Sequence, residues 1–113
     1  ISIPKIDKEL PVMNELTTEN LEISPCLYYT DERGIIIGAH NYDSLFGQIV
    51  HLSAGDKITF TGVNNNEMCY EVSGIEIINP DERDVLVSGE WDITLFTCTY
   101  MGKQRVVVRC NKI

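Results

Sequence analysis

The apolar residues of this chain arrive in short runs rich in Val, Ile, Thr, Tyr and Phe, each cut off by Gly, Pro, Asn or Asp, and they rarely fall at helical spacing. Runs of that kind and length are strand signals. The pattern predicts strands over residues 1–7, 10–13, 34–39, 48–51, 57–62, 68–79, 92–98 and 104–110. Eight short strands imply an all-β fold, a single closed or nearly closed barrel. Only Thr17 to Leu21 and Tyr42 to Phe46 read as brief helical turns, each preceded by a plausible cap. Asn64-Asn65-Asn66 reads as a hairpin tip, because Asn tolerates positive φ. Asn79-Pro80-Asp81 reads as a strand end opening an irregular connection that runs to Trp91.

A chain of 113 residues, 43% of them hydrophobic, can bury one core and is too short for two ordinary domains. One domain over 1–113 is expected, with no repeat, low-complexity tract or linker. The formal net charge of -8 argues against nucleic acid as a partner, since phosphates need a basic surface. No apolar run has the length of a membrane span. Ile1 to Ile6 begins inside a strand-like run, which predicts that the natural protein continues upstream and that an anchor lies there. The four cysteines, Cys26, Cys69, Cys98 and Cys110, show neither Cys-x-x-Cys spacing nor the density of a disulfide scaffold. Cys69 and Cys110 lie in strand-like runs and read as buried thiols.

The last two strands carry the chemistry. Hairpin register is set by the turn. With Met101-Gly102 as a two-residue loop, Thr99 faces Gln104 and Cys98 faces Arg105 on the same side of the sheet, with Cβ atoms about 4.5–5.5 Å apart. Arg109 shares that face but pairs near Thr94, farther from the thiol. Val106 and Val108 then point to the other face, into the barrel. A turn centred on Gly102-Lys103 would slip this register. Upstream, Gly38-Ala39-His40-Asn41 ends an apolar run where a strand gives way to a turn, a usual place for a side chain held by a rigid scaffold. His51, within Gln48 to Leu52, is the rival histidine and reads as a solvent-facing strand residue. A thiol, an imidazole and a guanidinium together suffice for thiol acyl transfer.

Thr94-Leu95-Phe96-Thr97-Cys98 resembles the Thr-Leu-x-Thr-Cys nucleophile motif of the sortases, the cysteine transpeptidases that attach surface proteins to the Gram-positive envelope. The similarity takes in the last strand pair, Gly38-Ala39-His40-Asn41, Gly55-Asp56-Lys57-Ile58 and the Ile75 to Pro80 strand end. Many sortases have glycine directly before the histidine, whereas here Ala39 intervenes. The resemblance implies a sortase-like barrel in which Cys98 is the nucleophile, His40 the general acid and base, and Arg105 the carbonyl or oxyanion stabiliser. It implies cleavage of a Leu-Pro-x-Thr-Gly (LPXTG-like) sorting signal through a thioacyl enzyme, then joining of the surface protein to an amine such as a peptidoglycan precursor or a pilin lysine. It also implies an anchored protein working at the extracellular face of the cell membrane. Val85 and Leu86 could line a groove for the Leu-Pro end or pack in the core. Thr97 could contact substrate or be a plain strand residue.

Zinc held by Cys98 with His40 or His51 lacks a closely spaced ligand pair. No cofactor is expected. Calcium is the alternative, between Asp31-Glu32 and Asp81, Glu82 and Asp84, as some sortases bind it between equivalent loops, although no spaced oxygen-ligand motif is visible. The competing functions are a cysteine peptidase-like hydrolase, in which water resolves the acyl enzyme, and a noncatalytic sorting-peptide-binding module. Within the sortases, the chain shows no Asp-Pro-aromatic lid pattern and has no room between Val63 and Trp91 for the helical insertion of the haem-acquisition type. General anchoring is therefore expected ahead of pilin polymerisation.

Overall fold

Residues that alternate inward and outward along eight strands build one strongly curled sheet. The computed structural model describes residues 1–32, 34–62, 64–99 and 103–113. In chain order the elements are β1 (Ser2–Ile3), β2 (Lys8–Glu9), α1 (Thr18–Leu21), β3 (Cys26–Thr30), β4 (Ile35–Gly38), β5 (Lys57–Thr61), β6 (Glu67–Ile78), α2 (Arg83–Val87), β7 (Ile93–Cys98) and β8 (Arg105–Lys112), with 3-10 turns at Pro4–Ile6 and Ile49–His51. The sheet order is β2-β1-β5-β6-β8-β7-β4-β3. Neighbouring strands are antiparallel except β4 and β7, which run parallel.

Of the two forms expected, nearly closed is the one found. β2 and β3 are the ends of the sheet. The chain after β2 reaches across the gap: Met13 makes a parallel bridge to Cys26, its N–H donates to the Pro25 carbonyl at 2.9 Å, and Leu27 N–H donates to the Met13 carbonyl at 2.8 Å. The Ser24 hydroxyl donates to the Pro11 carbonyl in the same place. An edge that would otherwise expose unpaired backbone is thereby covered.

The β8 strand is buried on both faces. Val106, Val108 and Cys110 point into the main core with Ile3, Ile37, Phe46, Ile49, Ile58, Val72, Ile93 and Leu95, as the alternation predicts. Val107 points the other way, into a smaller cluster with Ile36, Ile78, Leu86 and Phe96. Each fully buried Val, Leu, Ile or Phe stabilises the fold by about 1.5–3 kcal/mol. The long β6 serves both sides of the curl, pairing with β5 over Glu67–Glu71 and with β8 over Tyr70–Ile78, with a register shift between Val72 and Gly74 where it bends.

Several local expectations need correction. The strand expected over 1–7 is interrupted because Pro4 opens a 3-10 turn and Asp7 closes it at φ 54. Residues 10–13 contribute only the Met13 bridge. Residues 48–51 are not a strand: Ile49–His51 is one 3-10 turn that buries Ile49 and leaves Val50 and His51 outside. In their place β2 and β3 complete the eight strands, and α2 occupies the connection expected to be irregular. The Thr17 to Leu21 turn is α1, with the Thr17 side chain accepting from Asn20 N–H at 3.0 Å. Tyr42 to Phe46 folds as consecutive turns, with Leu45 and Gly47 both donating to the Tyr42 carbonyl at 2.9 Å. Asn65, at φ 62, forms the hairpin tip between β5 and β6. The Met101-Gly102 turn lies outside the described residues.

Candidate active site

The register that the turn predicts is the one observed. Cys98, last in β7, pairs directly with Arg105, first in β8, and Thr99 N–H donates to the Gln104 carbonyl at 2.8 Å just beyond. Thr94, Phe96 and Cys98 share a face with Arg105, Val107 and Arg109. Phe96 lies beneath the Arg105 guanidinium, whose carbon is 5.5 Å from the ring centroid. That is within cation–π range. Tyr28 meets Phe96 edge-on at 5.2 Å, and Arg83 Nε donates to the Tyr28 hydroxyl at 2.9 Å. These residues with Ile78, Pro80 and Leu86 line an open hollow of about 120 Å³, apolar on its floor and with Arg105 in its wall.

The histidine arrives on the strand beside the thiol. Because β4 runs parallel to β7, Gly38 is level with Phe96 and both strands finish at the same rim. Three hydrogen bonds tie the backbone around His40 to the Cys98 strand: Ala39 N–H to the Phe96 carbonyl at 3.2 Å, the Thr97 hydroxyl to the Ala39 carbonyl at 2.8 Å, and Asn41 Nδ2 to the Thr99 carbonyl at 3.1 Å. His40 is half-buried, with Nε2 3.5 Å from Glu22 Oε1. Tyr42 packs on its ring at 4.9 Å and donates its hydroxyl to Glu22 Oε2 at 3.1 Å. That hydrogen bond pushes the Tyr42 phenol pKa up. Glu22 and Tyr42 had no signal in the sequence, since only the tertiary fold brings the end of α1 to the rim.

A second hollow opens on the far side of the thiol, lined by Asn41, Asp43, Gly47, Val50, Thr97, Cys98, Thr99 and Val106. Thr97 is buried, its hydroxyl committed to Ala39. Leu86 lines the hollow beside Arg105, whereas Val85 is exposed and its carbonyl accepts from Arg109. His51 is exposed on its 3-10 turn.

All four cysteines are free. Cys26 and Cys110 are buried, and burial raises both thiol pKa values, that of Cys110 to about 12. Cys69 is exposed, contrary to expectation, because alternation along β6 turns Tyr70 and Val72 inward and Cys69 outward. Cys98 is the accessible thiol that faces a cation. Among the described residues, no three His, Cys, Asp or Glu side chains converge in a way that could hold a metal ion. Two of the carboxylates considered for calcium have partners of their own: Glu82 accepts from Asn79 at 2.8 Å and Asp31 from Gly34 N–H at 3.2 Å.

The family model for the sortase domain matches residues 1–113. Sortase A of Bacillus anthracis is 35% identical over 109 residues, covering 87% of this chain and 50% of its own. Sortase D of Bacillus subtilis (strain 168) is 27% identical over 111 residues, covering 90% of this chain and 56% of its own. The chain thus spans about half the length of the curated relatives it matches. Among solved structures, sortase C1 from Streptococcus agalactiae superposes with a TM-score of 0.87 at 28% identity, covering 99% of this chain and 65% of that one. Sortase A from Corynebacterium diphtheriae gives the same TM-score and identity, covering 99% and 58%.

Proposed function

The chain belongs to the sortase family, and from that premise we propose that it is the catalytic body of a cysteine transpeptidase acting on a Leu-Pro-x-Thr-Gly-type sorting signal at the outer face of the cell membrane. The observation that carries this reading is the direct pairing of Cys98 with Arg105 on one face, beside a parallel strand that delivers His40 to the same rim. The Cys98 thiolate attacks the threonine carbonyl, forming a C–S bond, and the C–N bond to the following glycine breaks. His40 gives its proton to the departing amine. An incoming amine then attacks the thioester, His40 takes its proton, and the thiolate leaves. Arg105 hydrogen-bonds the carbonyl oxygen as negative charge develops on it, a fixed cation needing little reorganisation. The Leu-Pro end of the signal fits the apolar floor made by Tyr28, Ile78, Leu86 and Phe96. The chemistry asks for no cofactor. The acceptor is an amine of the envelope, a peptidoglycan precursor or a pilin lysine.

Intact-mass spectrometry of wild type and Cys98→Ala with sorting-signal peptides, with and without an added amine, tests the reading. A Cys98-dependent acyl adduct that amine converts into joined product is expected. An adduct yielding only free acid would make the protein a hydrolase, and no adduct with any peptide would make it a binding module. Arg105→Lys keeps the charge but loses the planar fork, so kcat/KM should fall by roughly 10²–10³-fold, the cost of one oxyanion donor.

A further inference from the structure

On the transpeptidase reading of the hollow beside Arg105, we infer that Arg109 is a positioning residue: its guanidinium, held by Glu76, ties the end of α2 to the sheet and so fixes Leu86 over Phe96. Arg109 is 3% exposed. Its Nε donates to Glu76 Oε2 at 3.0 Å, one terminal nitrogen to the Leu86 carbonyl at 2.8 Å and Thr94 Oγ1 at 3.2 Å, and the other to the Val85 carbonyl at 2.7 Å. Two successive carbonyls of the helix are thus gripped by one planar fork. Four residues of strand separate Arg109 from Arg105, about 13 Å, so it cannot touch the reacting atoms and acts through α2.

The helix needs that grip. It has five residues and its N-cap Glu82 makes no side-chain capping bond; at its far end the Val85 carbonyl also accepts from Ser88 N–H at 3.2 Å and the Ser88 hydroxyl at 2.7 Å, whereas the Leu86 carbonyl accepts from Arg109. Leu86 is its buried residue, and it lines the hollow that contains Arg105. Burying a guanidinium costs desolvation, and an apolar side chain of similar volume would stabilise a strand at least as well. What the fork adds is direction, because it sets the height and tilt of the α2 end above Phe96. Glu76, at the solvent boundary on β6, orients the fork from the opposite side. A lysine at this position, a point charge without the planar fork, could hold one of the two carbonyls but not both, and the link between the α2 end and the sheet would lose a bond.

Two measurements test this on Arg109→Lys and on Glu76→Gln, the second being a surface change that leaves the core intact. The first is hydrogen exchange of residues 83–88 against the β7 and β8 amides. Faster exchange confined to 83–88 is expected in both variants, more so for Arg109→Lys. Unchanged exchange there overturns the inference, whether or not any peptide reacts. The second is steady-state kinetics with a sorting-signal peptide, normalised to folded protein. Loss of one carbonyl partner predicts a KM raised roughly tenfold for Arg109→Lys and less for Glu76→Gln, with kcat held within about twofold. A fall in kcat at constant KM would instead place the effect of Arg109 on the reacting groups and overturn the positioning role through α2. Failure of wild type to acylate on Cys98 refutes the transpeptidase reading, and the exchange measurement then decides the clamp alone.

Discussion

Four thiols in one small fold have four different surroundings, and burial decides which of them can react. Cys110 and Cys26 lie in the interior, while Cys69 and Cys98 reach solvent. Alkylation of the native protein at pH 8 should therefore modify Cys69 and Cys98 and spare the other two until the chain is unfolded, as peptide-mapped mass spectrometry would show. The same burial has a consequence for stability. The fold holds Cys110 as the neutral thiol and raises its pKa from 9.0 to about 12, so that contribution is complete below 9.0 and is lost as pH rises toward 12. Burial also raises Tyr70, which adds in the same direction. The melting temperature should fall between pH 9 and 11, and more shallowly in Cys110→Ala. That variant should be less stable at neutral pH by roughly 1 kcal/mol for the lost sulfur. Cys98 and Arg105 were legible as a pair because hairpin register is simple geometry once the turn is chosen. Glu22, Tyr42 and the grip of Arg109 on α2 were not, because they join segments far apart in sequence.

At the scale of elements, the close approach of β4 to β7 shapes the hollow. A Cβ placed on Gly38 would sit 2.4 Å from Phe96 Cζ. Phe96 has nowhere easy to go, with Tyr28 against its edge and Arg105 above it. Gly38→Ala should cost roughly 1–3 kcal/mol by overpacking. It should also lower peptide kcat/KM by more than the lost stability explains, because the ring supporting Arg105 moves. Chemical denaturation and peptide kinetics on the same sample separate the two effects. The elements also show where reading a sequence by pattern succeeds. β5 to β8 carry long alternating or β-branched runs and were placed closely. Short apolar runs were ambiguous: Gln48 to His51 lacks the length to distinguish a strand from a helical turn. β3 went unread because Cys26 to Thr30 follows a Ser-Pro pair within a polar stretch. Its pairing with β4 and the bridge from Met13 hold it as a strand.

The whole molecule is an acidic body with one rim to which the strands bring Cys98, Arg105 and His40. Its formal net charge of -8 creates a negative field that draws cations toward the surface. For the proposed second step the nucleophile is an amine that arrives protonated, so the field should assist its encounter. Raising ionic strength from about 0.01 to 0.15 M shortens the screening length from about 30 to 8 Å. The apparent second-order rate for a cationic amine acceptor should fall over that range, whereas a neutral nucleophile such as hydroxylamine should be nearly indifferent. Stopped-flow decay of the acyl enzyme would show the contrast, and equal salt dependence for both nucleophiles would refute it.

The parallel pairing of β4 with β7 has one more consequence, for how the protein comes into being. Every antiparallel neighbour of β6 and β8 can in principle zip from a hairpin or a nearby strand, but a parallel pair cannot form until the chain between its members has been folded back. The hydrogen bonds from Thr97 to Ala39 and from Asn41 to Thr99 each join residues 58 apart in sequence. A half-folded chain therefore carries a thiol and a guanidinium without the histidine proposed as their proton donor, and on that reading reactivity ripens only when assembly is complete. For a protein proposed to cut and join other chains, lateness is a safeguard.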